Sequence, residues 1–129
     1  GVSIPASPKQ IYDQAFGEYE MGHWDNAVDG FREFLTKFPE SASAADAQLA
    51  IGDSFYHAKK CREAIPEYEK VITSYKSSPR VPEAYVQQAM CYSDLNQRAR
   101  ATQLYQLVVD RYPGTSSEII ARQRLQARP

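Results

Sequence analysis

A chain of 129 residues is long enough for one domain whose core needs neither disulfides nor metals. Its apolar share of 43% and charged share of 24% are those of an ordinary globular domain, and a net charge of −1 gives no global basic field for nucleic acid. No run of eighteen apolar residues occurs, so the sequence holds no candidate membrane-spanning helix.

Charge is unevenly spread. Through residue 97 there are nine basic and fourteen acidic side chains, and from Arg98 onward six and two. Solvated helix faces account for that asymmetry more simply than a docking surface does.

In chain order, residues 1–8, "GVSIPASP", read as a linker. They lack an initiator Met and a signal-peptide core, as expected of a processed protein or an excised domain. A first helix follows over about 8–21, ended by Gly22, which suits a left-handed cap. Ala27, Phe31, Phe34, Leu35 and Phe38 then step by three and four, the spacing of a second helix. Pro39 stops that helix, and Ser41 starts an extended link. A third helix is predicted over about 43–58, and a fourth from Cys61 or Arg62 through Ala64, Tyr68, Val71, Ile72 and Tyr75. Pro66 falls near the end of the first turn of that helix, where the expectation is a slight bend and no break. Another helix is predicted over about 79–95, with Asn96 at its cap, and another through Ala101, Tyr105 and Val109. The last, about 117–128, has Thr115 and Glu118 at capping-box spacing.

These elements repeat every 37 residues. Ala27, Ala64 and Ala101 share one phase; Phe31, Tyr68 and Tyr105 another; Leu35, Ile72 and Val109 a third. Phe38, Tyr75 and Tyr112 follow, as do the small residues Ala15, Gly52 and Ala89, then Ala47, Ala84 and Ala121, and the hydroxyls Ser41, Ser78 and Thr115. The period defines three helix-turn-helix units, about 9–41, 42–78 and 79–115, inside a domain of 9–128. Short links force each pair of helices into an antiparallel hairpin. The segment 117–128 repeats only a first helix, and its "ARQRLQAR" is polar enough to cap a stack with one face in water.

No catalytic site emerges. His23 and His57 are the two candidate neutral-pH bases, and neither sits at a spacing that pairs it with a nucleophile. There is no Gly-rich phosphate loop, no His-Glu-x-x-His and no calcium loop, so no cofactor or metal is expected. Cys61 and Cys91 fit neither a metal site nor a Cys-x-x-Cys pair, and two buried free thiols are expected in preference to a disulfide. Trp24 is expected to plug its own hairpin.

The units resemble tetratricopeptide repeats (TPRs). The carrying residues are Ala15, Gly52 and Ala89, the Gly22-His23-Trp24 link, Ala27, Phe31 and the proline of "KFPES". The resemblance implies an all-α, right-handed superhelical solenoid of three repeats and a C-terminal capping helix. Lys76 in place of the repeat's proline, and Gln88 in place of a large apolar residue, depart from the pattern. The long "FxxFLxxFPxS" endings are similar to envelope TPR proteins, most of all the C-terminal domain of the Tol–Pal cell-division coordinator family. That likeness implies a non-catalytic periplasmic interaction module that binds TolA, monomeric here, which trimerises through an upstream coiled coil in the full protein. The alternatives are the TPR module of an outer-membrane assembly lipoprotein and a generic peptide-binding TPR scaffold.

In a stacked TPR array the first helices line the concave face. The inward positions in this register are Tyr12, Phe16, Tyr19 and Glu20, then Leu49, Asp53, Tyr56 and His57, then Val86, Met90, Ser93 and Asp94. For Phe16, Leu49 and Val86, packing inside the solenoid is an equal alternative. The tyrosines are the better candidates, because each has a hydroxyl to keep wet. The Lys and Asn that hold a C-terminal carboxylate in chaperone-binding TPRs are replaced by Tyr12, Phe16, Leu49 and Asp53. Asp53 would repel such a ligand. The face suits an extended or helical peptide with some positive charge.

Overall fold

Turn residues and apolar periodicity divide the chain into hairpins. The computed structural model describes residues 4–127; the start of the predicted linker and Arg128, at the predicted end of the cap, lie outside them. Seven α-helices and no strands occur among the described residues: α1 Pro8–Glu20, α2 Trp24–Lys37, α3 Ala44–His57, α4 Cys61–Ser74, α5 Val81–Asp94, α6 Arg98–Arg111 and α7 Ser116–Gln126. Each helix packs on the next in sequence, and α5 also touches α3 and α7. The first helices of the hairpins thus share one side of a solenoid, with α2, α4 and α6 on the other.

Local chemistry fixes the helix ends. At α1, Ser7 accepts the Gln10 N–H at 3.1 Å and gives its own N–H to the Gln10 side chain at 2.8 Å, a complete capping box with Pro8 at the first helical position. At α7 the box is half made: Thr115 Oγ1 accepts the Glu118 N–H, but the Glu118 carboxylate takes the N–H of Gly114. Inside the hairpins the left-handed residue recurs with the 37-residue period, as Gly22 (φ 76°), Lys59 (φ 65°) and Asn96 (φ 62°). Gly22 and Asn96 are legible as such caps. Lys59 is not, because lysine has no local preference for that conformation.

Three apolar clusters form the core, and each spans a repeat boundary. The first joins Ile11 and Ala15 of α1, Phe31 and Phe34 of α2, and Ala47 and Ile51 of α3. The second repeats this across α3, α4 and α5 around Tyr68, and the third across α5, α6 and α7 around Tyr105. No hairpin buries its apolar face alone; the next first helix closes it. For the third repeat that helix is α7, whose Ala121 is fully buried while Gln123 and Gln126 face outward. The second-helix aromatics Phe31, Tyr68 and Tyr105 are all buried.

Polar ties lock neighbouring repeats in register. Arg32 of α2 reaches Glu67 of α4 at 2.5 Å, and Gln48 of α3 donates to the same carboxylate at 2.8 Å. Burial would push Glu67 up, but the Arg32 and Gln48 contacts outweigh it and hold the carboxyl below its usual range. Gln88, the polar residue at an apolar position, is buried and donates to the Ile65 carbonyl and the Glu69 carboxylate at 3.1 and 3.0 Å. Its amide is therefore a cross-helix clamp between α5 and α4.

Two expectations change. Helix α4 runs unbroken from Cys61 to Ser74 as expected, but Pro66 is its sixth residue and lies past the first turn, not at its end. Pro66 and Arg62 are both exposed, so water can take the Arg62 carbonyl that the proline leaves without an intrahelical donor. Cys61 and Cys91 are not free thiols: they form a disulfide, with Cα atoms 5.1 Å apart. The first residue of α4 and the third turn of α5 lie side by side, a proximity that no sequence spacing reveals.

Candidate functional site

On the open side of the first helices, aromatic rings touch in an unbroken run. Tyr12 stacks on Phe16 with centroids 6.4 Å apart, and Phe16 stacks on Tyr19 at 5.8 Å. Tyr19 meets His57 of the next repeat edge-on at 5.9 Å, and His57 meets Tyr56 at 5.4 Å. The positions 12, 16 and 19 share one face of α1 because they are three and four residues apart. The link over 38–43 and the packing of α3 on α2 then bring α3 alongside. Phe16 stays 41% exposed, the largest ring so presented, whereas Tyr12, Tyr19 and Tyr56 are half-buried. Glu20 is exposed at the end of α1.

Trp24 does more than plug its hairpin. Its indole lies edge-on to Tyr19 at 5.5 Å and stacks on His57 at 5.2 Å, so it joins the first repeat to the second beneath the ring run.

Behind the aromatic end the floor turns polar. Asp53 of α3 accepts hydrogen bonds on one oxygen, Oδ1, from the Tyr68 hydroxyl of α4 at 2.6 Å and from Gln87 of α5 at 3.0 Å. Burial pushes the Asp53 carboxyl up; the Tyr68 and Gln87 hydrogen bonds and the charges of His57 and Arg80 pull against that. The Tyr19 hydroxyl is pushed up to about 12 by burial and then by the Asp53 charge, so it remains a neutral donor. Arg80 closes the far side, with Nε on Asp46 at 2.8 Å and an outer nitrogen on Glu83 at 3.2 Å.

Not every predicted groove residue reaches the open face. Leu49 is 4% exposed and Val86 3%, and both pack in the core, so the packing alternative is the one the fold realises for them. Met90 is half-buried against the third cluster, and Ser93 and Asp94 are exposed beyond it. Asp46, Arg80, Glu83 and Gln87 were missed. The signal was present in the period: Asp46 and Glu83 are 37 residues apart, as are Asp53 and Met90. A step of seven residues back from Asp53, along the same helical face, would have reached Asp46.

The face is an open groove of rings and carboxylates. Among the described residues no cluster of three or more His, Cys, Asp or Glu could hold a metal ion, and no helix is long and apolar enough to cross a membrane. A side-chain surface of this kind can bury aromatic area against another chain, with each ring removing roughly 150–250 Å² from water when fully covered.

Comparison with known proteins gives this groove a context. A family model described as YfiO, outer membrane lipoprotein, matches residues 5–127. The outer membrane protein assembly factor BamD of Caulobacter vibrioides is 29% identical over 123 residues. That match takes in 89% of this chain and 40% of that protein, so the chain spans less than half the length of this relative. Among solved structures, the first TPR domain of Spaghetti (RPAP3), bound to the HSP90 peptide SRMEEVD, aligns with a TM-score of 0.73 at 15% identity, covering 97% of this chain and 93% of that one. The type III secretion translocator chaperone SycD of Yersinia enterocolitica gives 0.74 at 20% identity, covering 93% and 91%. At such identities the likeness shows the fold, which is the TPR solenoid.

Proposed function

Because the chain belongs to the YfiO family of outer membrane lipoproteins, we propose that it is a non-catalytic protein-binding module of outer-membrane protein assembly. It works at the periplasmic side of the envelope and holds a segment of another protein along the groove of its first helices. The observation that carries this reading is the run of rings from Tyr12 to Tyr56, which the fold leaves open with Phe16 at its most exposed point. The core does not need the exposed edge of Phe16, and exposed aromatic surface of this kind is what protein interfaces use as anchors.

The family match over residues 5–127 favours this reading over the Tol–Pal one. TolA as the partner gains no support from it, and a client or subunit of the outer-membrane assembly pathway takes its place. The relative's own name, outer membrane protein assembly factor, points the same way.

The test is site-specific crosslinking. A photoreactive benzoyl-phenylalanine replaces Phe16 in one variant and Glu33, on the opposite face in α2, in another. Position 16 is expected to crosslink an unfolded outer-membrane protein presented in the periplasm, and position 33 to stay unlinked. Crosslinking at 33 but not at 16 would remove the first-helix groove from consideration.

A further inference from the structure

The groove holds one carboxylate whose surroundings are incomplete. Both hydrogen bonds to Asp53, from Tyr68 and Gln87, fall on Oδ1. Oδ2 has no partner among the described residues and is not sealed from solvent. Arg80, whose charge also acts on Asp53, is engaged with Asp46 and Glu83. His57 lies one turn further along α3 and meets Tyr19 edge-on, so rings stand beside the carboxylate. A half-buried carboxylate beside aromatic rings is complementary to a cation on an aliphatic stem: the charge pairs with the oxygen, and the stem and cation lie against the rings.

We propose that Asp53 reads the charge of the bound segment, pairing through Oδ2 with a lysine or arginine side chain whose stem lies against Tyr19 and His57, while an aromatic or aliphatic neighbour of that residue covers Phe16. The occupant is thus a protein segment with a basic residue close to an apolar one. An acidic segment is excluded by the same carboxylate, because it would bring like charges together in a partly dehydrated site. This inference rests on the groove being the binding face, and it adds the chemistry that selects the occupant.

The experiment pans a random-peptide phage library on the wild-type protein, on Asp53→Asn and on the Phe16→Ala, Tyr19→Ala double variant. Asparagine keeps an oxygen for Tyr68 and Gln87 and replaces the charged acceptor Oδ2 with a neutral NH2. Wild type is expected to enrich peptides that pair Lys or Arg with an apolar neighbour, and Asp53→Asn to lose the basic enrichment and bind the selected peptides roughly tenfold or more weakly. Selected peptides without basic enrichment, or with equal affinity for Asp53→Asn, would overturn the charge-reading role and leave the groove in place. Peptides indifferent to the loss of Phe16 and Tyr19 would overturn the groove itself. If Asp53→Asn fails to fold, the charge is removed from the other side, by citrulline in place of the arginine of a selected peptide. The same loss is expected on the wild type, and equal affinity would overturn the proposal.

Discussion

Reduction of the Cys61–Cys91 disulfide is expected to lower the unfolding free energy by about 3–4 kcal/mol. The bridge closes a loop of 30 residues in sequence, and a loop of that size removes a corresponding amount of chain entropy from the unfolded state. Domains of this size are stable by about 5–15 kcal/mol, so the loss is a substantial fraction of the total. Both sulfurs sit in the second apolar cluster, Cys91 with no exposure, so reduced thiols would remain buried and the packing would change little. The effect should therefore appear as a shifted urea midpoint with native helix content retained below it. Identical urea curves for the oxidised and reduced protein would show that the bridge adds nothing. A disulfide of this kind also fits an oxidising compartment, in line with the proposed place in the envelope.

Gly52→Ala is expected to cost about 2–3 kcal/mol. A Cβ at that position would stand 2.6 Å from both Cδ1 and Cε1 of Tyr68. The ring cannot retreat freely: Tyr68 is fully buried, and its hydroxyl is tied to Asp53 at 2.6 Å. Relief of the clash would stretch that bond and disturb Gln87, which shares the same oxygen. Gly17 provides the control, since a Cβ there meets nothing within 4 Å. Gly17→Ala in the middle of α1 should stabilise by roughly 0.5–1 kcal/mol, because the unfolded chain loses conformational freedom. Denaturant unfolding of both variants checks the pair, and a Gly52→Ala protein as stable as Gly17→Ala would contradict the packing described.

The repeat was legible because its signals are local or periodic. Helical spacing of apolar residues, glycine and asparagine at the caps, and columns such as Phe31, Tyr68 and Tyr105 all survive in the sequence as residue types at fixed intervals. Lys59 is the counterexample: its left-handed backbone closes the turn after α3, where the Lys60 N–H reaches the Phe55 carbonyl at 2.9 Å, and its side chain carries no trace of it. The disulfide was illegible for a related reason. Cys61 and Cys91 belong to different repeats and come together only when α4 stacks on α5.

The groove was legible in part. The aromatic residues of α1 and α3 were identifiable from phase, and the structure brings Tyr12, Phe16, Tyr19, Tyr56 and His57 into one run. Leu49 and Val86 share the 37-residue phase of Tyr12, but their shorter side chains end inside the second and third core clusters, where the longer tyrosine stays half-exposed. Trp24 was read within its hairpin because its contact with His57 depends on the stacking angle between repeats, which sequence spacing does not encode.

A binding titration tests the role of the groove most directly. An unfolded outer-membrane protein, freshly diluted from denaturant, is titrated against the wild-type protein and against the Phe16→Ala, Tyr19→Ala double variant, with thermal unfolding confirming that both are folded. The double variant is expected to bind at least about tenfold more weakly, as when exposed ring anchors are removed from an interface. Equal affinity for the two folded proteins would contradict that role.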